Sequence, residues 1–199
     1  VAKELKKEIG ENSKYTEDLD LLISQTKRCS EILKQISQKQ IVDDKFLSLT
    51  TAEDLLEDII KSFNETTDKI INLSVKKDFN KFKFERTPEV VYGIRNFIGN
   101  SIKFSKNLIT ISVESDNKTL SIIIDDDGVG FPNDILEILG EPYIKSKMST
   151  SRSGLGLGTF LGKTLLNRKN AEVFFKNEGL HNGARVIIKW KLKDLNTNF

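Results

Sequence analysis

The sequence predicts an α+β protein in which a helical segment, residues 1–40, precedes a domain of helices and strands, residues 51–199. Three observations support this prediction. Residues 1–40 contain no proline and one glycine, and their apolar positions repeat at the spacing of helices. Later segments alternate apolar and polar residues, which is typical of strands. Strong helix-starting signals separate these segments, so helices and strands alternate along the chain.

The composition excludes several classes of function. The 199 residues carry 31 Lys and Arg against 29 Asp and Glu, with one cysteine and one histidine. Because no basic arm stands apart, charge gives no support for a nucleic-acid role. One cysteine excludes an internal disulfide framework and fits a reducing compartment, and one histidine leaves no His-rich metal site. The chain starts at Val1 in mid-pattern with no signal peptide or membrane span, so we expect a fragment of a longer protein.

The helical segment carries a short heptad seam. Its second half spaces apolar positions alternately by three and four residues, over less than three heptads, as in helices that pack on one another. The polar residues 10–13 suit the turn of an antiparallel hairpin. Residues 41–50 break the periodicity and are interpreted as a linker. The seam positions are Leu19, Leu22, Thr26, Cys29, Leu33 and Ile36.

The rest of the chain alternates helix and strand signals. Thr51 and Asp54 form a capping-box pattern, and Thr87-Pro88-Glu89 is a strong helix start. In order, the patterns predict a helix from Thr51 to Phe63, strands over 69–75 and 81–85, a helix from Thr87 to about Phe104, strands over 109–113 and 120–124, a short helix from Asn133 to Leu139 that stops at Gly140, a helix from Thr159 to Arg168, and two strands on either side of 179–183.

The helix that begins at Thr87 presents an unusual polar face. Asparagine is a mediocre helix former, so two asparagines one turn apart suggest a compensating role. Their amide oxygens suit Mg²⁺, which prefers oxygen ligands, and a nearby lysine suits phosphate. An ordinary solvated face remains an equal alternative at this point. The face consists of Tyr92, Asn96, Asn100 and Lys103.

A second motif, Asp126-Asp127-Gly128-Val129-Gly130, directly follows the apolar strand that ends at Ile124. An ionised carboxylate only accepts hydrogen bonds, so Asp126 could select an exocyclic amino group such as that of adenine. The glycines would let the main chain approach a flat base closely. An acidic turn between a strand and a helix is the alternative, whereas the spacing excludes an EF-hand calcium loop.

The third motif is the glycine-rich run from Gly154 to Gly158, which leads into a helix at Thr159. Glycines before a helix expose backbone N–H groups beside the positive end of the helix dipole, which suits polyphosphate. The run matches neither the dinucleotide fingerprint nor the Walker A pattern. The polar segment before it, 141–153, is interpreted either as a mobile lid whose cations Lys145, Lys147 and Arg152 meet phosphates, or as a basic surface loop.

In this order the motifs resemble the N box, the G1 box and the G2 box of sensor histidine kinases, which share the Bergerat ATP-binding fold with type II topoisomerases, Hsp90 and MutL. The N box is Asn96 to Ser105. The resemblance implies a two-layer α/β sandwich with a mixed sheet packed on helices, preceded by the helical hairpin of a dimeric four-helix bundle. It covers nearly the whole chain.

The resemblance also implies roles for individual residues. Asn100 would bind Mg²⁺, Asn96 and Lys103 would act catalytically at the phosphates, and Asp126 would hold the adenine amino group. The remaining residues implied to bind ATP are Gly128, Gly130, Tyr143, Gly154, Leu155, Gly156, Leu157, Gly158 and Thr159. Many relatives have Glu, Gln or His where this chain has Tyr92. Hydrolysing relatives use that Glu to activate water, so Tyr92 favours phosphoryl transfer over strong ATP hydrolysis.

A closer likeness is to the redox-responding RegB/PrrB sensor kinases, through Gly140-Glu141-Pro142-Tyr143 and the segment from Ser24 to Leu33. That group implies a redox role for Cys29, while the heptad seam favours a buried, inert thiol. The resemblance implies a homodimer, relay to a response-regulator aspartate, and a cytoplasmic fragment of a bacterial kinase anchored in the inner membrane. His181 lies in a turn and is a poor acceptor, so we expect the phosphoacceptor histidine upstream of Val1.

Two other functions remain open at this point. The chain could be an ATP-binding regulatory and dimerisation module in which no chemistry occurs. It could also be an anti-sigma-type protein serine kinase on the same fold, although the helical hairpin argues against that function.

Overall fold

The computed structural model describes residues 49–64, 66–76, 82–142 and 157–195. The helical segment, its heptad seam, Cys29 and residues 41–48 of the predicted linker lie outside these residues, so the helical hairpin and the domain boundaries stay predictions. The last two residues of the predicted linker belong instead to a strand, Leu49–Thr51. In the described part, no helix is both long and apolar enough to cross a membrane.

The described residues form a mixed sheet with helices packed on it. The elements are β1 (Leu49–Thr51), α1 (Ala52–Asn64), β2 (Ile70–Val75), β3 (Lys83–Glu85), α2 (Pro88–Phe104), β4 (Leu108–Ser115), β5 (Thr119–Asp126), α3 (Leu157–Asn167), β6 (Glu172–Lys176) and β7 (Arg185–Lys191). The five-stranded sheet has the order β2-β4-β5-β7-β6, in which β2 and β4 are parallel and the other neighbours are antiparallel. A separate antiparallel pair joins β1 to β3.

Local hydrogen bonds explain why these elements begin where they do. The hydroxyl of Thr51 accepts from the backbone N–H of Asp54 at 3.0 Å and donates to its carboxylate at 2.7 Å, which caps α1. Thr87 accepts from Val90 N at 3.4 Å at the start of α2. The Asp116 carboxylate accepts from two backbone N–H groups of the β4–β5 turn, each at 2.7 Å. The predicted caps of the two helices and the predicted β-hairpin of β4 and β5 are therefore confirmed.

The core lies between the helices and one face of the sheet. Alternate residues of the central strands point into it, as the pairing of Ile111 with Ile124 and of Ile122 with Ile188 illustrates. Each fully buried side chain of this size contributes about 1.5–3 kcal/mol. Phe84 and Trp190 meet edge to face with ring centroids 5.0 Å apart. The predicted α+β fold with a mixed sheet packed on helices is confirmed.

Two glycines allow α2 and α3 to approach closely. A Cβ at Gly93 would lie 2.5 Å from Leu166 Cγ, and a Cβ at Gly162 would lie 3.0 Å from Phe97 Cζ. No side chain larger than hydrogen fits at such distances without movement of the neighbour. This contact sets the N-terminus of α3 beside the polar face of α2.

One predicted helix is wrong. In place of a helix from Asn133 to Leu139 the structure has a single 3-10 turn, Leu136–Ile138. Successive bonds of the three-residue type, from Ile135 N to Pro132 O and from Ile138 N to Ile135 O, hold the segment instead. Leu139 is the one apolar side chain of this stretch that is buried, so the segment has no apolar stripe with which to stabilise a longer helix.

Candidate functional site

The polar face of α2 meets the N-terminus of α3. The Oδ1 atoms of Asn96 and Asn100 each lie 3.6 Å from the point that a Cβ on Gly158 would occupy. The Asn100 amide donates to Thr159 Oγ1 at 3.3 Å, and the Asn96 amide donates to Tyr92 O at 2.8 Å. The amide nitrogens are therefore engaged within the protein, and both amide oxygens lie near Gly158 in the first turn of α3. Oxygen donors next to such a helix terminus suit Mg²⁺ together with phosphate.

Lys103 lies on the same helix but is exposed, and its ammonium group is 5.0 Å from the centroid of the Phe104 ring. That distance is within the range of a cation–π contact. The structure thus brings Asn96 and Asn100 together with Gly158 and Thr159, while Lys103 contacts Phe104. A role for Lys103 at phosphates stays a prediction.

Asp126, the last residue of β5, is 3% exposed. Its Oδ1 accepts from Gly128 N at 2.9 Å and from Ala184 N at 3.1 Å. Burial raises the pKa of the Asp126 carboxyl, and hydrogen bonds from those two N–H groups and from the Ser101 hydroxyl oppose the rise. Both backbone bonds use Oδ1, so the carboxylate is held in one orientation by the chain that surrounds it.

Glycines make room for the main chain around Asp126. A Cβ on Gly183 would clash with the Asp126 carbonyl oxygen, and a Cβ on Gly128 would lie 2.5 Å from Phe104 O. Gly130 adopts φ +78°, a conformation that favours glycine. The Phe104 ring is 46% exposed at this edge of α2. A flat apolar group could therefore lie against backbone and ring while Asp126 accepts a hydrogen bond from its rim.

The neighbouring Asp127 has a structural role. Its carboxylate accepts from Lys106 N at 2.8 Å and from Asn107 N at 3.1 Å, which joins the G1 turn to the turn between α2 and β4. Desolvation by itself would raise the pKa of Asp127, but the hydrogen bonds from the backbone of residues 106–108 and of Asp127 itself together outweigh it, and the pKa is lowered.

Sequence reasoning missed two groups near the site. Asp125 points to the sheet face opposite the helices and forms a two-point ion pair with Arg185, at 2.7 and 3.0 Å. Asn177, which follows β6, hydrogen-bonds to both the N–H and the carbonyl of Phe131. The pairing of Asp125 with Arg185 depends on the register of β5 and β7, for which the sequence offers no signal. An asparagine after an apolar strand was visible, but its partner was not.

Several predicted site residues lie outside the described part of the chain. They are Tyr143, Lys145, Lys147, Arg152, Gly154, Leu155 and Gly156. Leu157 begins α3, and its side chain is likewise outside the described set. His181 lies in the β6–β7 loop, where its Nε2 atom is 2.8 Å from Thr110 Oγ1. Among the described residues, no group of three or more His, Cys, Asp and Glu could hold a metal ion.

The chain is similar in sequence to known sensor histidine kinases. RegB, a sensor histidine kinase of Cereibacter sphaeroides, is 29% identical in an alignment of 194 positions that covers 89% of this chain and 40% of RegB. The kinase SaeS of Staphylococcus aureus is 23% identical over 83% of this chain and 50% of its own length. This chain thus spans half or less of these relatives.

Solved histidine kinases share the fold. The structure of Acinetobacter baumannii AdeS matches 92% of this chain and 87% of its own, with a TM-score of 0.61 and 17% identity. Full-length ShkA in complex with AMPPNP matches 92% of this chain and 40% of its own, with a TM-score of 0.63 and 15% identity. The family model described as "Histidine kinase-, DNA gyrase B-, and HSP90-like ATPase" matches residues 87–194, over half of the chain. This chain therefore belongs to the family of histidine kinase-, DNA gyrase B- and HSP90-like ATPases.

Proposed function

We propose that this chain binds Mg²⁺-ATP and is the ATP-handling part of a sensor histidine kinase in a two-component system. The observation that carries the proposal is the convergence of the Asn96 and Asn100 oxygens beside Gly158 at the start of α3. The buried Asp126 carboxylate supplies a second recognition group at the end of β5. Together these groups offer one end suited to a metal and phosphates and one end suited to an amino-bearing base.

Each end has a defined task in this proposal. Asp126 accepts a hydrogen bond from the exocyclic amino group of adenine, and Gly128 and Gly130 keep the main chain close to the base. Asn100 ligates Mg²⁺, and Asn96 and Lys103 contact the phosphates. Bound Mg²⁺-ATP supplies the γ-phosphoryl group for transfer. The chain itself contributes positioning and charge neutralisation, which dominate phosphoryl-transfer catalysis.

The phosphoryl acceptor is a histidine elsewhere in this proposal. His181 lies in the β6–β7 loop and hydrogen-bonds to Thr110 of β4. In this position its side chain is poorly placed to reach a nucleotide on the helix side of the sheet. We place the acceptor on the first helix of a dimeric hairpin, upstream of this sequence, with relay to a response-regulator aspartate. Tyr92 in place of a glutamate favours transfer over hydrolysis. We also propose that the kinase is anchored in a membrane and that Cys29 has a redox role. The alkylation rate of Cys29 in the folded protein tests the redox role, because a thiol protected from alkylation would contradict it.

Incubation with radiolabelled ATP tests the proposal. The chain is mixed with a separately produced hairpin that carries a phosphoacceptor histidine, and label is followed under acidic and alkaline conditions. We expect acid-labile, alkali-stable label on the hairpin. Absence of label despite ATP binding would favour a regulatory module without chemistry, and acid-stable label would favour a serine kinase. Label on this chain alone would contradict the inference that His181 is not the phosphoryl acceptor.

Calorimetry of ATP binding with and without Mg²⁺ tests the metal ligand. For Asn100→Ala we expect the Mg²⁺-dependent gain in affinity to fall by about tenfold or more, since even outer partners of metal ligands contribute that much. The matched control is Asn72→Ala, at an exposed asparagine of the edge strand β2. An unchanged Mg²⁺ dependence in Asn100→Ala would remove Asn100 as the ligand.

A further inference from the structure

The turn that carries Gly128 and Gly130 is held from its far end by a single side chain. Asn177 Oδ1 accepts from Phe131 N at 2.6 Å, and Asn177 Nδ2 donates to Phe131 O at 2.8 Å. The same Nδ2 donates to Asn133 Oδ1 at 3.2 Å. One carboxamide therefore satisfies both main-chain groups of Phe131, as a neighbouring strand would do.

The same contact excludes a side chain from position 130 of this turn. A Cβ on Gly130, at φ +78°, would lie 2.7 Å from Asn177 Oδ1. The amide of Asn177 thus occupies the space that a side chain at position 130 would need. At its other end the turn is bound by Gly128 N to the Asp126 carboxylate at 2.9 Å. Asn177 and Asp126 hold the two ends of the same short loop.

The strand that precedes Asn177 is tied to the helix side of the site. Phe175 of β6 meets Phe131 at 5.6 Å and Phe97 of α2 at 5.8 Å between ring centroids, both edge to face. Phe97 directly follows Asn96 and contacts the α3 glycine Gly162. The position of Phe131 is therefore set against the same packed rings that support the asparagine face.

We propose that Asn177 is a positioning residue for nucleotide recognition, which fixes the Gly128–Phe131 loop so that Asp126 discriminates an adenine amino group from a carbonyl oxygen. This inference rests on the proposed function. Asn177 touches the loop and not the nucleotide, so it acts through Asp126, Gly128 and Gly130. When the Gly128–Phe131 loop is no longer fixed, the Asp126 carboxylate and the residues around it can move. The affinity for a ligand with an amino group then falls, and the repulsion of a ligand with a carbonyl oxygen is reduced.

The test compares ATP with ITP, in which a carbonyl oxygen replaces the amino group. Dissociation constants of both nucleotides are measured by calorimetry with Mg²⁺ for the full chain and for two variants. Asn177→Leu removes both hydrogen bonds to Phe131. Asn177→Asp keeps the shape of the side chain and the oxygen that accepts from Phe131 N. It replaces Nδ2 by a second oxygen, which faces Phe131 O and Asn133 Oδ1, so packing is preserved while the hydrogen bonds to these two oxygens are lost. Asn72→Leu, on the opposite edge strand of the sheet, is the matched control.

We expect Asn177→Asp to bind ATP about fivefold more weakly, as for one lost hydrogen bond, and Asn177→Leu to bind it at least as weakly because it loses both bonds. In both variants the preference for ATP over ITP should fall by about threefold or more. Asn72→Leu should change neither quantity. A merely structural role would reduce the folded fraction without altering the ratio of the two constants. An unchanged ratio in folded Asn177→Asp would overturn the inference, whereas a wild-type chain that binds neither nucleotide would overturn the proposed function itself.

Discussion

Replacement of Asp126 by asparagine separates the proposed binding role of this carboxylate from its structural role. Asparagine keeps an Oδ1 that can accept from Gly128 N and Ala184 N, the bonds of 2.9 and 3.1 Å. It replaces the second acceptor oxygen by an amino group, which would face the adenine amino group. A hydrogen bond to a charged group is worth about 1.5–3 kcal/mol, and a site 3% exposed gives little solvent screening. We expect ATP affinity to fall roughly 10- to 100-fold.

The folding stability of Asp126→Asn at neutral pH should not fall with its ATP affinity. Burial raises the pKa of Asp126 above the ordinary value of 3.8, so ionisation of this carboxyl opposes folding. The unfavourable effect is absent below pH 3.8 and grows as pH rises through the folded-state pKa. The variant lacks this ionisation. We expect Asp126→Asn to be at least as stable as the wild type at neutral pH, with a difference that shrinks as pH is lowered.

Urea unfolding over a pH series, alongside ATP calorimetry at neutral pH, provides the measurement. Asp127→Asn is the matched control because the pKa of Asp127 is lowered, so its ionised form stabilises the fold and this contribution is lost as pH falls. The Asp127 variant should be less stable than the wild type at neutral pH, with a deficit that shrinks in acid. A wild-type affinity for ATP in Asp126→Asn, or stability changes of the same sign in both variants, would refute the reasoning.

Three further variants test the helix packing and the ion pair around the site. Gly93→Ala should destabilise the fold by about 1–3 kcal/mol in urea unfolding, because its Cβ would lie 2.5 Å from Leu166 Cγ. Gly99→Ala, on the same helix and in ordinary contact at 3.7 Å, should be neutral or stabilising by up to about 1 kcal/mol; equal losses would contradict the close approach of the helices. Arg185→Ala should cost about 3 kcal/mol because Asp125 is left buried without its partner, and wild-type stability of that variant would remove the ion pair as a support.

Local chemistry made most elements predictable from the sequence. The caps at Thr51 and Thr87 depend on residues three apart in the chain, and the β4–β5 hairpin depends on alternation around a turn held by Asp116. These interactions form within a few residues, so their signals are visible in the sequence. The wrong helix at 133–139 failed for a tertiary reason, since too few of its apolar residues find a core.

The site was predictable in its residue types but not in its geometry. Asparagines at i and i+4 share a helix face by helical geometry alone. Their convergence on Gly158 depends on how α3 packs against α2, which Gly93 and Gly162 permit. The support from Asn177 to Phe131 joins residues 46 positions apart, and no local pattern encodes such a contact.

The two ends of the proposed nucleotide site depend on one set of packed aromatic rings. The amide face lies on α2, and the carboxylate end lies on β5 and the following loop, so the chain needs a rigid connection between them. Phe175 provides it, because its ring packs against Phe97 on the helix side and against Phe131 on the loop side. Aromatic pairs of this kind contribute about 0.5–1.5 kcal/mol beyond burial and restrict ring orientation. A substitution at Phe175 should therefore weaken both the Mg²⁺-dependent gain in ATP affinity and the preference for ATP over ITP, as measured by calorimetry. A substitution at Asn100 should weaken only the first of these quantities, and one at Asp126 only the second.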